Sequence, residues 1–126
     1  MAENKKILII DDEAYIRRVL ELKLQNRGYE VLTASDGEEG FSAIESQQPD
    51  VVISDIMLPK MDGRTLCEKM NPIKEKRPFL TIIVTARINP DERDWIAQMQ
   101  ETIFMEKPFS PKKIVDAIKK YLEDRK

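Results

Sequence analysis

The sequence predicts an α/β fold: a parallel sheet covered by helices, built from five strand–helix units in one domain over residues 1–126. Three observations predict it. Apolar runs alternate with amphipathic stretches along the whole chain. The runs at 6–10, 50–55 and 79–86 are apolar on both faces, as central parallel strands are. The connections are mostly short, with no internal repeat or low-complexity segment.

Each element follows in order. KILII, 6–10, reads as a buried strand. Ile16, Val19, Leu20 and Leu24 share one face of a helix over 12–28, and Gly28 stands where a helix C-terminal glycine belongs. YEVLTA, 29–34, alternates as a short strand. The next helix opens with Ser35 and Glu38 at capping-box spacing and turns Phe41 and Ile44 inward; Gly40 weakens it by about 1 kcal/mol. DVVISD, 50–55, is a third strand and ends, like the first, in an acid. IMLPKMDG is a loop, RTLCEKMN a short helix with Leu66 and Met70 inward, and NPIKEKRP a polar connector. FLTIIVTA, 79–86, is the most β-branched run in the chain. NPDERDWIAQM starts a helix with Pro90 near its first position, and its Trp95 reads as core or half-buried. TIFMEKPF is a strand and a loop. SPKKIVDAIKKYLEDRK closes the chain as a helix, with Ser110 as N-cap, Pro111 in the first turn, and Ile114, Ile118 and Tyr121 or Leu122 inward.

Composition narrows the chemistry. The 21 Lys and Arg are scattered against 23 Asp and Glu, for a net charge of −2, which gives no electrostatic reason for nucleic-acid binding. One cysteine, Cys67, excludes an intrachain disulfide; with no signal-peptide pattern, a reducing, cytoplasmic setting is expected. Cys67 reads as a packing residue. No apolar run approaches the roughly 20 residues of a membrane span. There is no histidine, so no Ser-His-Asp, Cys-His or His-based metal site can form within the chain. Chemistry rests on carboxylates, hydroxyls and lysine, and hard oxygen ligands suit Mg²⁺ or Mn²⁺.

Sites in open parallel sheets form beyond the carboxyl ends of the strands. The first strand ends in Asp11 and Asp12, the third in Asp55, the fourth in Thr85, and the fifth is followed by Lys107. These share one rim if the four strands lie side by side. Acids alone would repel and raise one another's pKa values; a hard divalent cation removes that problem. Lys107 pairs with a carboxylate or an incoming anion, and Thr85 offers a hydroxyl donor to an oxyanion. The set suits phosphoryl transfer to a carboxylate. Asp55 is the expected acceptor, because it stands alone at a central strand end while Asp11 and Asp12 are paired like metal holders. A single acid after a strand is more often a turn or cap residue, and Glu13 reads as first-turn helix charge. The functional reading rests on convergence, with each core strand closing in a reactive residue.

ILIIDDE, PDVVISDIMLPKMDG, IIVTA and MEKPFSP, in this order and spacing, resemble the receiver domain of bacterial two-component response regulators over essentially the whole chain. The resemblance implies a flavodoxin-like (βα)5 three-layer sandwich with strand order 2-1-3-4-5. It implies that Asp55 accepts a phosphoryl group from a phosphohistidine on a sensor histidine kinase or histidine phosphotransfer protein. It further implies a Mg²⁺ (or Mn²⁺) among Asp11, Asp12, Asp55 and the backbone carbonyl of Met57, with Asp12 the more direct ligand. Lys107 would contact the phosphoryl oxygens, Thr85 would move to bond them, and Ala86 would leave room and supply an N–H. Phe104, three residues before the lysine, is implied as a switch aromatic in place of the common tyrosine; the alternative is a plain inward strand residue. A cis bond at Lys107–Pro108 and flanking roles for Met57 and Arg87 are implied too. Gln100 and Glu101 stand where the family often has Gly-Ala.

The expected function is a phosphorylation-switched signalling module, not a turnover enzyme. It would act through the face formed by the fourth helix, fifth strand and fifth helix on an unidentified downstream protein or effector domain, with homodimerisation through that face. A stand-alone receiver or an N-terminal receiver fragment is expected, with no direct nucleic-acid binding and no membrane. A haloacid-dehalogenase-like phosphatase would need an acid two residues after the nucleophile, where this chain has Met57. A phosphorylation-independent interaction module would not need Asp11, Asp12, Asp55, Thr85 and Lys107 together. A nucleotide site would need a Gly-rich loop after the first strand, where DDEAYIRR stands instead.

Overall fold

The computed structural model describes residues 5–86, 90–99, 101–107 and 110–124. Strands and helices alternate: β1 (Lys6–Ile10), α1 (Ala14–Gln25), β2 (Glu30–Ala34), α2 (Gly37–Gln47), β3 (Val51–Ser54), α3 (Gly63–Lys76), β4 (Leu80–Thr85), α4 (Pro90–Ala97), β5 (Thr102–Glu106) and α5 (Pro111–Asp124). The sheet is parallel throughout, in the order β2-β1-β3-β4-β5. This is the expected flavodoxin-like three-layer arrangement.

Side-chain alternation divides the core into two layers. Leu8, Ile10, Val52 and Ile83 face one cluster with Ile44 of α2, Leu66 and Met70 of α3, and Trp95 and Ile96 of α4. Ile7, Ile9, Ile53 and Ile82 face the other with Leu20 and Leu24 of α1 and Ile114, Val115 and Ile118 of α5. Burial on both faces is why β1, β3 and β4 read as continuous apolar runs. Trp95 and Cys67 are buried, as expected, and burial pushes the Cys67 thiol up to about 12, which leaves it an unreactive packing group.

Gly28 ends α1 at φ 89°, with the Gly28 N–H donating to the Gln25 carbonyl and the Tyr29 N–H to that of Leu24, a Schellman closure that favours glycine. Two local expectations are corrected. The cap of α2 is Asp36, not Ser35: Asp36 Oδ1 accepts from the Glu39 N–H at 2.8 Å, and Glu39 Oε1 accepts from the Ser35 N–H at 2.6 Å. The cap is shifted by one residue, while the returning Glu39 carboxylate reaches the N–H of Ser35, the residue before the cap. The predicted connector 71–78 is mostly helix, because α3 continues through Pro72 to Lys76. Proline removes one backbone bond and disfavours the turn before it. The inward row of Leu66, Met70, Ile73 and Lys74 supplies the packing that carries the helix past it. The Lys74 ammonium reaches the Glu101 carbonyl at 3.3 Å and Thr102 Oγ1 at 3.2 Å, tying α3 to the start of β5.

Candidate functional site

Backbone ladders deliver three side chains to one rim. The Asp11 N–H donates to the Ala34 carbonyl at 3.1 Å, the Asp55 N–H to that of Ile10 at 3.2 Å, and the Lys107 N–H to that of Thr85 at 2.6 Å. Each residue lies just beyond its strand and inherits that strand's rigidity. The loop after Asp55 is seated by glycine: a Cβ on Gly63 would lie 2.7 Å from the Asp55 carbonyl oxygen and 2.6 Å from the Ile56 Cα. The Gly63 N–H also donates to the Ile56 carbonyl at 2.7 Å. Asp62, the N-cap of α3, closes the loop by accepting from the Thr65 N–H at 2.8 Å.

Lys107 is the centre of the site. Its Nζ donates to Asp55 Oδ2 at 2.8 Å, Glu13 Oε1 at 3.1 Å and Asp11 Oδ2 at 3.3 Å. The second oxygens of the two buried acids are held by backbone: Asp55 Oδ1 accepts from the Met57 N–H at 3.1 Å, and Asp11 Oδ1 from the Glu13 N–H at 2.9 Å. Arg17 donates to the Asp11 carbonyl at 2.6 Å. Burial raises the Asp11 pKa, against the lowering effect of the Glu13 N–H and the Lys107 charge; the Asp55 charge adds to the rise. Burial works to lower the Lys107 pKa, but its hydrogen bonds to Asp55 and Glu13 and the charges of Asp55 and Asp11 outweigh it and raise it. Lys107 therefore stays a cation across the physiological range.

The structure brings Asp11, Asp55 and Lys107 together as the strand ends anticipate. Thr85 is buried at the end of β4, with Ala86 exposed beyond it. The Met57 side chain is 74% exposed. Phe104 is half-buried on β5 against the α2–α3–α4 layer, with the Arg93 guanidinium carbon 5.1 Å from its ring centroid. Asp12 and Glu13 depart from expectation. Asp12 is exposed and outside the carboxylate group; Asp11, Glu13 and Asp55 are the acids whose oxygens lie within 4.8 Å of one another. Glu13 occupies the N-cap position of α1 but makes no side-chain cap bond, because its carboxylate is turned to Lys107. The run of three acids was the one sequence signal for it. Arg87, Gln100 and Pro108 lie outside the described residues.

Chemically, this is a set of hard oxygen donors around a fixed cation. Carboxylate oxygens at this separation, two of them on the buried Asp11 and Asp55, fit Mg²⁺ or Mn²⁺ rather than a thiophilic metal.

The model of the response regulator receiver domain matches residues 7–119. The alkaline phosphatase synthesis transcriptional regulatory protein PhoP of Bacillus subtilis is 37% identical over 119 residues, covering 94% of this chain and 49% of the relative. The probable transcriptional regulator ycf27 of Guillardia theta is 41% identical over 119 residues, covering 94% and 46%. The chain thus spans about half the length of the curated relatives it matches. Among solved structures, a CheY-like receiver domain protein from Methanospirillum hungatei superposes with a TM-score of 0.88 at 30% identity, over 97% of this chain and 96% of that one. Chemotaxis protein CheY4 of Vibrio cholerae gives 0.84 at 27%, over 94% and 98%. Strand order, a carboxylate rim closed by a lysine, and these matches together make the chain a member of the response regulator receiver domain family of two-component systems.

Proposed function

We propose that the chain is a phosphorylation-activated signalling switch whose phosphoacceptor is Asp55. The observation that carries this reading is the 2.8 Å contact between Asp55 Oδ2 and the Lys107 ammonium, at a rim where the other near groups are carboxylates. A carboxylate oxygen of Asp55 attacks phosphorus while the P–N bond of a phosphohistidine on a partner kinase or phosphotransfer protein breaks. The electron pair of that bond stays on the imidazole nitrogen, and the product is an acyl phosphate on Asp55. Lys107 supplies positive charge to the new phosphoryl oxygens, and Thr85 donates its hydroxyl to one of them. Ala86 leaves space and adds an N–H. A bound Mg²⁺ supplies neutralisation of charge on the transferring group. Asp11 and Asp55 would hold it, with Asp12 and the Met57 carbonyl as further ligands.

Signalling follows from the change in charge at the rim. Movement of Thr85 draws Phe104 inward and alters the face of α4, β5 and α5, through which a downstream partner, an effector domain or a second copy binds. The PhoP and ycf27 relatives are named transcriptional regulators; an output on transcription by way of another domain fits the same design. Phosphoryl exchange with a kinase supports a cytoplasmic setting for the switch. No helix among the described residues is long and apolar enough to cross a membrane. The chain turns over no substrate beyond its own acyl phosphate, since Met57 leaves no acid two residues past Asp55 to serve as a phosphatase's general acid.

The test is incubation with Mg²⁺ and a small acyl phosphate, read by intact mass, and with beryllofluoride, read by Trp95 fluorescence and oligomeric state. Wild type should gain one phosphoryl group and Asp55→Asn none. Equal behaviour of the two proteins refutes the switch.

A further inference from the structure

We infer that Glu13 is a positioning residue for Lys107: it keeps the lysine paired when a divalent cation takes the place of its ammonium between Asp11 and Asp55. This rests on the reading of the rim as a cation-dependent phosphoacceptor. Three features of Glu13 carry the inference. Its Oε1 accepts from Lys107 Nζ at 3.1 Å, closer than Asp11 Oδ2 at 3.3 Å. Its side chain is 59% exposed, whereas those of Asp11 and Asp55 are 4% and 9% exposed. It stands at the N-cap of α1 without capping the helix, so helix geometry does not fix its carboxylate.

The conflict it resolves is electrostatic. A divalent cation held by Asp11 and Asp55 would compete for the oxygens that Lys107 now binds, and the two cations repel each other at that distance. The Lys107 backbone is pinned by its N–H bond to the Thr85 carbonyl, so the displacement falls to the side chain. Asp11 and Asp55 are buried at strand ends and cannot follow the ammonium. Glu13 reaches it from the solvent side and can. With Glu13 present, the lysine goes from three carboxylate partners to one and keeps an ion pair; without it, it goes from two to none and loses its last one. Asp12 is exposed and outside the group, so it does not substitute.

The test is a double-mutant cycle on Mn²⁺ and Mg²⁺ affinity by calorimetric titration, using wild type, Glu13→Gln, Lys107→Met and the double variant. Glu13→Gln should weaken binding by about 3- to 5-fold, the scale of one exposed ion pair, and should have no effect in the Lys107→Met background. A second readout is the ¹H–¹⁵N signal of the Lys107 ammonium, which persists only while the group is held in an ion pair. It should survive Mg²⁺ in wild type and Glu13→Asp and disappear in Glu13→Gln. Equal weakening in both backgrounds would make Glu13 a ligand or a bulk charge and overturns the proposal, as does unchanged affinity in Glu13→Gln. A wild type that binds no divalent cation overturns the cation-dependent reading of the rim as well, so the two failures are distinguishable.

Discussion

Asp11 shows how the rim trades stability for chemistry. It is buried at the end of an apolar strand, and burial lifts its pKa above the ordinary 3.8. A carboxyl whose folded-state pKa exceeds its unfolded value destabilises the fold once ionised. The cost is fully present above the folded value and fades as the pH falls through it towards 3.8. Asp11→Asn is therefore expected to raise Tm by about 2–5 °C at neutral pH without added metal. The gain should shrink on acidification. Thermal melts from neutral pH down to the carboxylate range check this, and a variant less stable than wild type at neutral pH contradicts it. Lys107 limits the cost by pairing with all three acids, which is why the group can exist inside a folded chain at all.

At the scale of elements, α3 carries two opposite demands. Its first residue, Gly63, must let the chain after Asp55 pass against it. Gly63→Ala is expected to cost about 1–3 kcal/mol through overpacking, measured by denaturant unfolding, and, under the proposed function, to slow acceptance of a phosphoryl group by shifting Asp55. At the other end, burial lowers the pKa of Lys74 to about 8. A lysine whose folded value lies below its unfolded 10.5 costs stability fully below pH 8, and the cost fades as the pH rises. Relative to Lys74→Met, wild type should gain on the order of 2–3 kcal/mol between neutral pH and about pH 10. Parallel pH profiles for the two proteins would exclude that titration. Lys74 also shows where sequence reading stopped. Its charge and Pro72 made 71–78 look like a connector, because periodicity does not show that a lysine lies over the Phe79 ring, 5.0 Å from its centroid, and reaches the β5 backbone. β1, β3 and β4 were legible because burial on both faces leaves an unmistakable apolar run. Asp11, Asp55 and Lys107 were legible because a strand end has one position and one direction. Asp12 and Glu13 were not, because beyond the strand the chain turns into α1 and spacing no longer says which acid faces the rim.

For the whole molecule, the site is where both core layers and four strands meet, so ligand binding and global stability are linked. A divalent cation that binds only the folded rim adds about 2.7 kcal/mol at a hundredfold excess over its Kd. Mg²⁺ should thus raise the Tm of wild type and leave that of an Asp11→Asn/Asp55→Asn double variant nearly unchanged, as differential scanning calorimetry can show. Equal shifts in both would place the ion elsewhere. The contact between Lys107 and Asp11 also joins residues 96 positions apart in sequence. During synthesis, β1 and β3 leave the ribosome long before β5, and domains tend to fold from the N-terminus. A nascent chain thus carries its buried acids without their counter-ion until the last strand docks. Closure of the sheet by β5 is the event that makes the acidic rim tolerable, and the same step brings Lys107 to Asp11 and Asp55, so a chain stalled before Thr102 has neither the finished sheet nor the cation that neutralises its rim.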